Sequence, residues 1–377
     1  MPFPKIAARA ARFLVLATIV ATGLSLAACG TDGGVSALLP PGPATTAPPG
    51  DTVIYAAMTL GNRIDAYRLG SDGLLPSKPF SSIFVTSPRR LTIAGDVLYA
   101  TLFDRVISIK LGADGSLPNT PTSHTVTNND YDPVDLEVRD NILYVAAAGR
   151  GQVQSFELEA DGSLPVDPTG TGVGEFPADF ASLELAGPYL YSGSRETQYV
   201  DMFILEQDGN VPDNAELQEP RDSIGLPDDI VIRNGILYVT SAGDKTIRAY
   251  TLLPNGFLPG DQTSRTKGEE YYSDILLDGN TLYAAAYNAG RIDLYTIAAD
   301  GQLPEESPFR KTQEDPESYP AHMLMSGGIL YVAQAGLNRV DAYVLDGNGL
   351  PPAYPSSSTK PAPGDSFPLN LALYHLK

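Results

Sequence analysis

An apolar residue followed by Tyr recurs seven times at a near-constant interval, and this repetition limits the fold more than any other property of the chain. The pairs are Ile54-Tyr55, Leu98-Tyr99, Leu143-Tyr144, Leu190-Tyr191, Leu237-Tyr238, Leu282-Tyr283 and Leu330-Tyr331, separated by 44, 45, 47, 47, 45 and 48 residues. A fixed period of this length marks a repeat architecture. Each pair precedes an alternating segment with a large apolar residue at a set place (Tyr67, Ile109, Phe156, Phe203, Tyr250, Tyr295, Tyr343). A turn follows: Asp72-Gly73, Asp114-Gly115, Asp161-Gly162, Asp208-Gly209, Asn255-Gly256, Asp300-Gly301 or Asn348-Gly349. Asp-Gly and Asn-Gly favour tight hairpins because both residues tolerate positive φ. Period-2 alternation without a sustained helical period predicts strands. The second unit reads as strands A to D: Leu91–Ala94, Val97–Thr101, Val106–Leu111 and a stretch near His124–Thr127. Four short strands per 40–50-residue repeat predict an all-β, seven-bladed β-propeller with four-stranded antiparallel blades.

The two ends of the repeat complement each other. The first unit starts at Val53 with no A strand, and Pro368-Leu369-Asn370-Leu371-Ala372-Leu373 matches an A strand with no B strand after it. The C-terminal strand is therefore expected to pair with the N-terminal blade. Closing the ring removes an exposed sheet edge. Residues 53–377 are read as one propeller domain.

The segment before it has another character. Lys5, Arg9 and Arg12 precede a 16-residue apolar stretch, Phe13 to Ala28, too short to span a bilayer and typical of an export signal. Leu26-Ala27-Ala28-Cys29 resembles the bacterial lipobox, which predicts a signal peptide over 1–28 and lipidation of Cys29, the single Cys. Loss of 1–28 removes three positive charges and takes the formal charge from -20 to -23. Residues 29–52 are read as the lipidated Cys and a Pro/Gly-rich tether, of which 30–50 alone reach up to roughly 70 Å at ~3.3 Å per residue. Buried acyl CH₂ groups, each worth ~0.8 kcal/mol, would make the membrane the partner of this anchor. Gly30 rather than Asp after the Cys implies, by the same resemblance, the outer membrane, on its periplasmic face or at the cell surface.

Composition excludes several functions. One Cys permits no internal disulfide and no Cys-based metal cluster. With 45 Asp+Glu against 25 Lys+Arg, nucleic acid is not expected as a partner. There is no G-x-S-x-G, H-E-x-x-H or P-loop. Of the three His, His124 falls in a predicted outer strand and His375 beside the C-terminus, leaving His322 for chemistry. The repeated Tyr residues are read as blade-to-blade packing. The Arg-Ile-Asp and Arg-Val-Asp sequences at Arg63, Arg291 and Arg339 are read as a solvated strand face.

Registering the blades exposes one candidate site. Seven positions before the Leu of each pair stands an apolar residue (Leu91, Leu136, Leu183, Ile230, Ile275, Met323), with Leu371 as the seventh by its preceding Pro368. The residue just before each should stand where the innermost strand begins, near the channel: Arg90, Asp135, Ser182, Asp229, Asp274, His322 and Asn370. All seven are polar. The neighbouring register, Arg89, Val134, Ala181, Asp228, Ser273, Ala321 and Leu369, is mixed. Three readings stay open. The ring lines a channel and caps strand ends. Alternatively Asp135, Asp229 and Asp274 are hard oxygen ligands for Ca²⁺ or Mg²⁺, with Asn370 and Ser182 beside them and with Asp130, Asp132, Asp179 and Asp228 adding negative field. In the third, His322 acts as a general base oriented by Asp274.

The apolar-Tyr pair, the alternating strand and the Pro-led A strand together resemble the seven-bladed lactonase family of phosphogluconolactonase-like and muconate-lactonizing-like propellers, over all of 53–377. Lack of Trp separates the chain from WD40 and kelch repeats. Lactonase relatives carry His and Arg at these strand starts, for example Gly-Pro-Arg-His-Met; here Pro320-Ala321-His322-Met323 lacks the Gly and the Arg. A phosphate substrate needs several fixed cations, and the ring has one Arg against three Asp. Two classes of function result. One is a lipid-anchored extracytoplasmic module that binds a small molecule or protein, or acts as a scaffold, through its top face and central channel. The alternative, implied by the resemblance, is a lactone or ester hydrolase using His322 and the Asp ring, with or without a metal.

Overall fold

The B strands show why the chain folds as it does: Thr52–Met58, Ile142–Ala147 and Ile236–Ser241 are buried along their whole length. A strand inside a sheet that is covered on both faces loses water everywhere, so its sequence is nearly all apolar. In a computed structural model of the chain, the described residues are 51–377 apart from 127, 129, 175–178, 217–222 and 361–365. The predicted signal peptide, Cys29 and the tether up to residue 50 lie outside them.

The described strands form seven antiparallel sheets. Blade 2 has strand A at Leu91–Ala94, B at Val97–Thr101, C at Val106–Lys110 and D at Ser123–His124, with D one to three residues short of its expected place. Blades 3, 5, 6 and 7 repeat this order, their A strands being Pro133–Arg139, Pro227–Arg233, Tyr272–Asp278 and Pro320–Ser326. Blade 4 has three regular strands, starting with Phe180–Ala186. Its fourth is reduced to one antiparallel bridge, Met202 to Glu216, among the described residues.

The ring closes as expected. Pro368–His375 pairs antiparallel with Thr52–Met58, giving blade 1 its inner strand, and the domain starts one residue earlier than predicted. The apolar core is divided into wedges between successive blades rather than gathered at one centre. Tyr55, Leu98 and Ile107 fill the wedge between blades 1 and 2, while Ile54, Tyr331 and Leu371 fill that between blades 7 and 1. Stability in such a structure depends on every neighbour interface.

The repeated Tyr stitches these wedges. Each hydroxyl donates to the carbonyl of the turn Gly one blade on: Tyr55 to Gly115, Tyr99 to Gly162, Tyr144 to Gly209, Tyr191 to Gly256, Tyr238 to Gly301, Tyr283 to Gly349 and, across the closing seam, Tyr331 to Gly73, at 2.5–2.9 Å. The turn glycines hold φ between 74° and 86°, which accounts for Gly at this place in every repeat. Tyr331→Phe keeps the ring's packing and removes one buried donor. Urea unfolding should show a loss of about 1 kcal/mol; an unchanged midpoint would mean that the closing stitch contributes nothing net.

One expectation is corrected here. The Asp of the Arg-x-Asp sequences is not on a solvated face: Asp65, Asp293 and Asp341 are buried. Each is neutralised by the Arg two residues earlier, at 2.6–3.0 Å. Asp65 and Asp341 also accept from Ser82 and Ser358, which fastens the outer D strand to strand C.

Candidate functional site

Strand A is the inner edge of each blade. Alternate N–H groups on it face the channel, where no further strand can accept them. The polar ring solves this. Asp135 accepts from Leu183 N–H at 2.8 Å, Asp229 from Ile275 at 2.8 Å, Asp274 from Met323 at 2.8 Å, His322 Nδ1 from Leu371 at 3.3 Å, and Asn370 from Leu91 at 2.9 Å. Each side chain thus caps the residue after its counterpart on the next blade. The ladder register shifts beside the ring residue in blades 1, 3, 4, 5, 6 and 7, a bulge that re-aims one side chain. Arg90 has no acceptor to offer, so Leu136 N–H turns to Asp135 Oδ1 at 2.9 Å.

The structure brings all seven ring residues, Arg90, Asp135, Ser182, Asp229, Asp274, His322 and Asn370, to one buried tier. Arg90 is its cation, with Nε 3.7 Å from Asp135 Oδ1. Burial pushes the Asp229 carboxyl well above the usual carboxylate range, with Asp274 adding to the rise and Arg90 opposing it. Burial likewise raises Asp274 against the pull of Arg90. Burial and the neighbouring acid thus hold both carboxyls above the ordinary carboxylate range.

Two sequence readings change. Asp135, Asp229 and Asp274 do not make a metal centre: among the described residues no group of three His, Cys, Asp or Glu is arranged to hold an ion. Each of these carboxylates commits an oxygen to an N–H of the adjoining blade. His322 Nδ1 faces the Leu371 N–H, so an orienting role for Asp274 would have to act through Nε2.

A second tier escaped the sequence reading. Two residues after Asp135 and Ser182 stand Glu137 and Glu184, hydrogen-bonded to each other. Glu184 accepts from Ile232 N–H at 2.9 Å, continuing the inner-edge capping. Burial pushes Glu184 up to about 8 and raises Glu137, whose carboxyl also feels Glu184. Their period-2 offset from the ring was the available signal.

The mouth above the ring draws on the register that looked mixed. Arg89 Nη1 lies 2.5 Å from Asp132, and Arg195 Nε lies 2.6 Å from the fully buried Asp228. Asp179, an exposed residue whose carboxyl nevertheless sits among packed atoms, is raised by burial, lowered by Arg195, and raised again by Asp132, Glu196 and Asp228. These groups form a charged arc from blade 2 to blade 5. Asp130, expected to join them, has an exposed side chain and a backbone carbonyl packed on Gly149. Arg150 stacks on Tyr131, 5.3 Å from its centroid. The rest of the mouth is apolar: Tyr287 meets Tyr271 edge-on at 5.8 Å and stacks on Tyr319 at 5.2 Å, beside Ala321 and Leu369.

Comparison with known proteins agrees with this architecture. Residues 212–365 match the family described as "Lactonase, 7-bladed beta-propeller". No curated protein matches the chain. Among solved structures, the periplasmic gluconolactonase of Pseudomonas aeruginosa superposes with a TM-score of 0.67 at 17% identity, covering 86% of this chain and 99% of its own. A Bacteroides fragilis protein named as a candidate 6-phosphogluconolactonase gives 0.70 at 18% identity, covering 88% and 100%. A Lactobacillus plantarum protein gives 0.69 at 15% identity, covering 86% and 99%. These likenesses establish the fold. The chain is a seven-bladed β-propeller, and its residues 212–365, from the end of blade 4 through blade 7, match the pattern of the lactonase propellers.

Proposed function

We propose that this propeller hydrolyses an unphosphorylated lactone or related ester at the mouth of its top face. The observation that carries the reading is the charged arc, in which Arg89 and Arg195 each have their own carboxylate, Asp132 and Asp228. Such paired cations polarise a carbonyl but leave little charge over for a phosphate. Asp179, raised toward neutrality beside Arg195, suits a general base. In this reading a water attacks the lactone carbonyl carbon and its proton passes to Asp179. The Arg195 guanidinium stabilises the oxyanion. The ring C–O bond then breaks, and the leaving oxygen takes the proton back. The tyrosine side of the mouth supplies the apolar wall. His322, buried in the ring with Nδ1 tied to Leu371, contributes to the framework beneath. The family match in blades 5 to 7 supports the reaction class, and a lipid anchor at Cys29, as the lipobox-like sequence leads one to expect, would put the reaction outside the cytoplasm.

The test is hydrolysis of glucono-δ-lactone, its 6-phosphate and a simple γ-lactone by the purified protein. Turnover of an unphosphorylated lactone is expected, with kcat reduced ~10²–10⁴-fold in Asp179→Asn at unchanged thermal stability. No turnover of any of the three, with or without added Mg²⁺ or Ca²⁺, would sink the proposal and leave a ligand-binding module as the reading of the top face.

A further inference from the structure

We infer that the groove between blades 6 and 7 is a second binding site, separate from the mouth, for a neutral saccharide. The groove has a volume of about 400 Å³, within the range of small-ligand pockets. Its frame is rigid. Asp315 N–H donates to Gly290 O at 3.1 Å, and Gly336 N–H to Ser318 O at 2.9 Å, so the 313–318 loop is clamped by the B–C turns of both blades. Gly290, at φ 62°, is obligatory: a Cβ there would lie 1.6 Å from the Asp315 carbonyl.

The lining points to a ligand. Ser318 Oγ and Gln334 Oε1 are buried polar atoms with no hydrogen-bond partner among the described residues, and the two residues are 2% and 4% exposed. Leaving such atoms unsatisfied costs about 1–3 kcal/mol each, so a polar guest is favoured. Across the groove stands Tyr354, a large aromatic 67% exposed and flanked by Pro355. Arg339 is neutralised by the buried Asp341 through a bidentate pair at 2.7 and 3.1 Å and so presents its planar edge to the groove without net charge. Glu314 and Asp315 leave the rim acidic, which disfavours anions. An exposed aromatic face, a planar amide, a hydroxyl and a neutral ion pair suit a sugar, with its C–H face on Tyr354 and its hydroxyls on Ser318, Gln334 and the ion pair.

Saturation-transfer NMR of the full-length protein with D-glucose, N-acetyl-D-glucosamine, maltotriose and cellotriose tests this. At least one is expected to bind with Kd about 1 mM, the strength of one stacked ring with a few hydrogen bonds. Tyr354→Ala, an exposed change that spares the core, should weaken it at least tenfold. Gln334→Met should do the same, whereas Asp179→Asn should leave it unaltered, so this site and the lactone reading fail separately. Binding of none of the four, binding that survives Tyr354→Ala, or preferential binding of tetramethylammonium would overturn the inference.

Discussion

A chain ended before Pro368 is expected to lose its cooperative fold. The removed strand buries Leu369, Leu371, Ala372 and Tyr374, and Leu371 sits in the wedge between blades 7 and 1. At ~1.5–3 kcal/mol for each of the three large apolar side chains, the loss is about 5–9 kcal/mol. Native domains have only about 5–15 kcal/mol to lose. Two stitches vanish as well, Asn370 to Leu91 and Leu371 to His322. The bare edge of Thr52–Met58 would then invite pairing with other chains. Circular-dichroism melting and size-exclusion chromatography should show no sharp transition and soluble aggregates. Adding a 366–377 peptide should restore part of the transition. A monomer with an unshifted melt would refute closure by this strand.

The second large effect is predicted for Arg90→Met, which keeps much of the side-chain volume and deletes the ring's cation. Asp135, 3.7 Å from Arg90, would lose its counter-charge, and Asp229 and Asp274 would lose the charge that opposes their rise. Removing one partner from a buried ionic set costs about 3–5 kcal/mol. The pH dependence has a definite sign. Both carboxyls already lie above the ordinary value of 3.8, and the substitution raises them further. A raised carboxyl contributes its stability fully below the unfolded value and loses it as pH rises toward the folded one. The gap between variant and parent should therefore be wide at pH 8 and narrow at pH 5. Denaturant titrations at the two pH values measure it; a gap independent of pH would mean that Arg90 acts by packing alone.

Much of this molecule could be read from spacing. The seven apolar-Tyr pairs foretold the blades because a B strand covered on both faces accepts little else. The turn glycines foretold the hairpins because only a positive φ closes them. Six ring residues follow from counting back from Leu98 and its counterparts and Asn370 from its place after Pro368, and all seven are buried. Their task was not legible. Sequence shows that Asp135 or Asn370 is polar, but whether a carboxylate faces a metal, a substrate or a neighbouring N–H depends on the partner blade. The mouth was legible only in part: Asp132, Asp179 and Asp228 could be read as acids beside the ring, but their pairing with Arg89 and Arg195 could not. Arg89 and Asp228 stand in a register that mixes charged, polar and apolar residues, because one side of the mouth is ionic and the other is built from tyrosines.

Sequence alone determined the number of blades, the strand order and the closing partner of the first blade, because these follow from a local period and from which strand each end lacks. Tertiary structure decided what the polar residues do. Seven inner edges converge on one axis, each leaves N–H groups that no strand can meet, and the ring side chains meet them first. The paired charges at the mouth, on which the proposed hydrolysis rests, are likewise brought together only by the assembled ring.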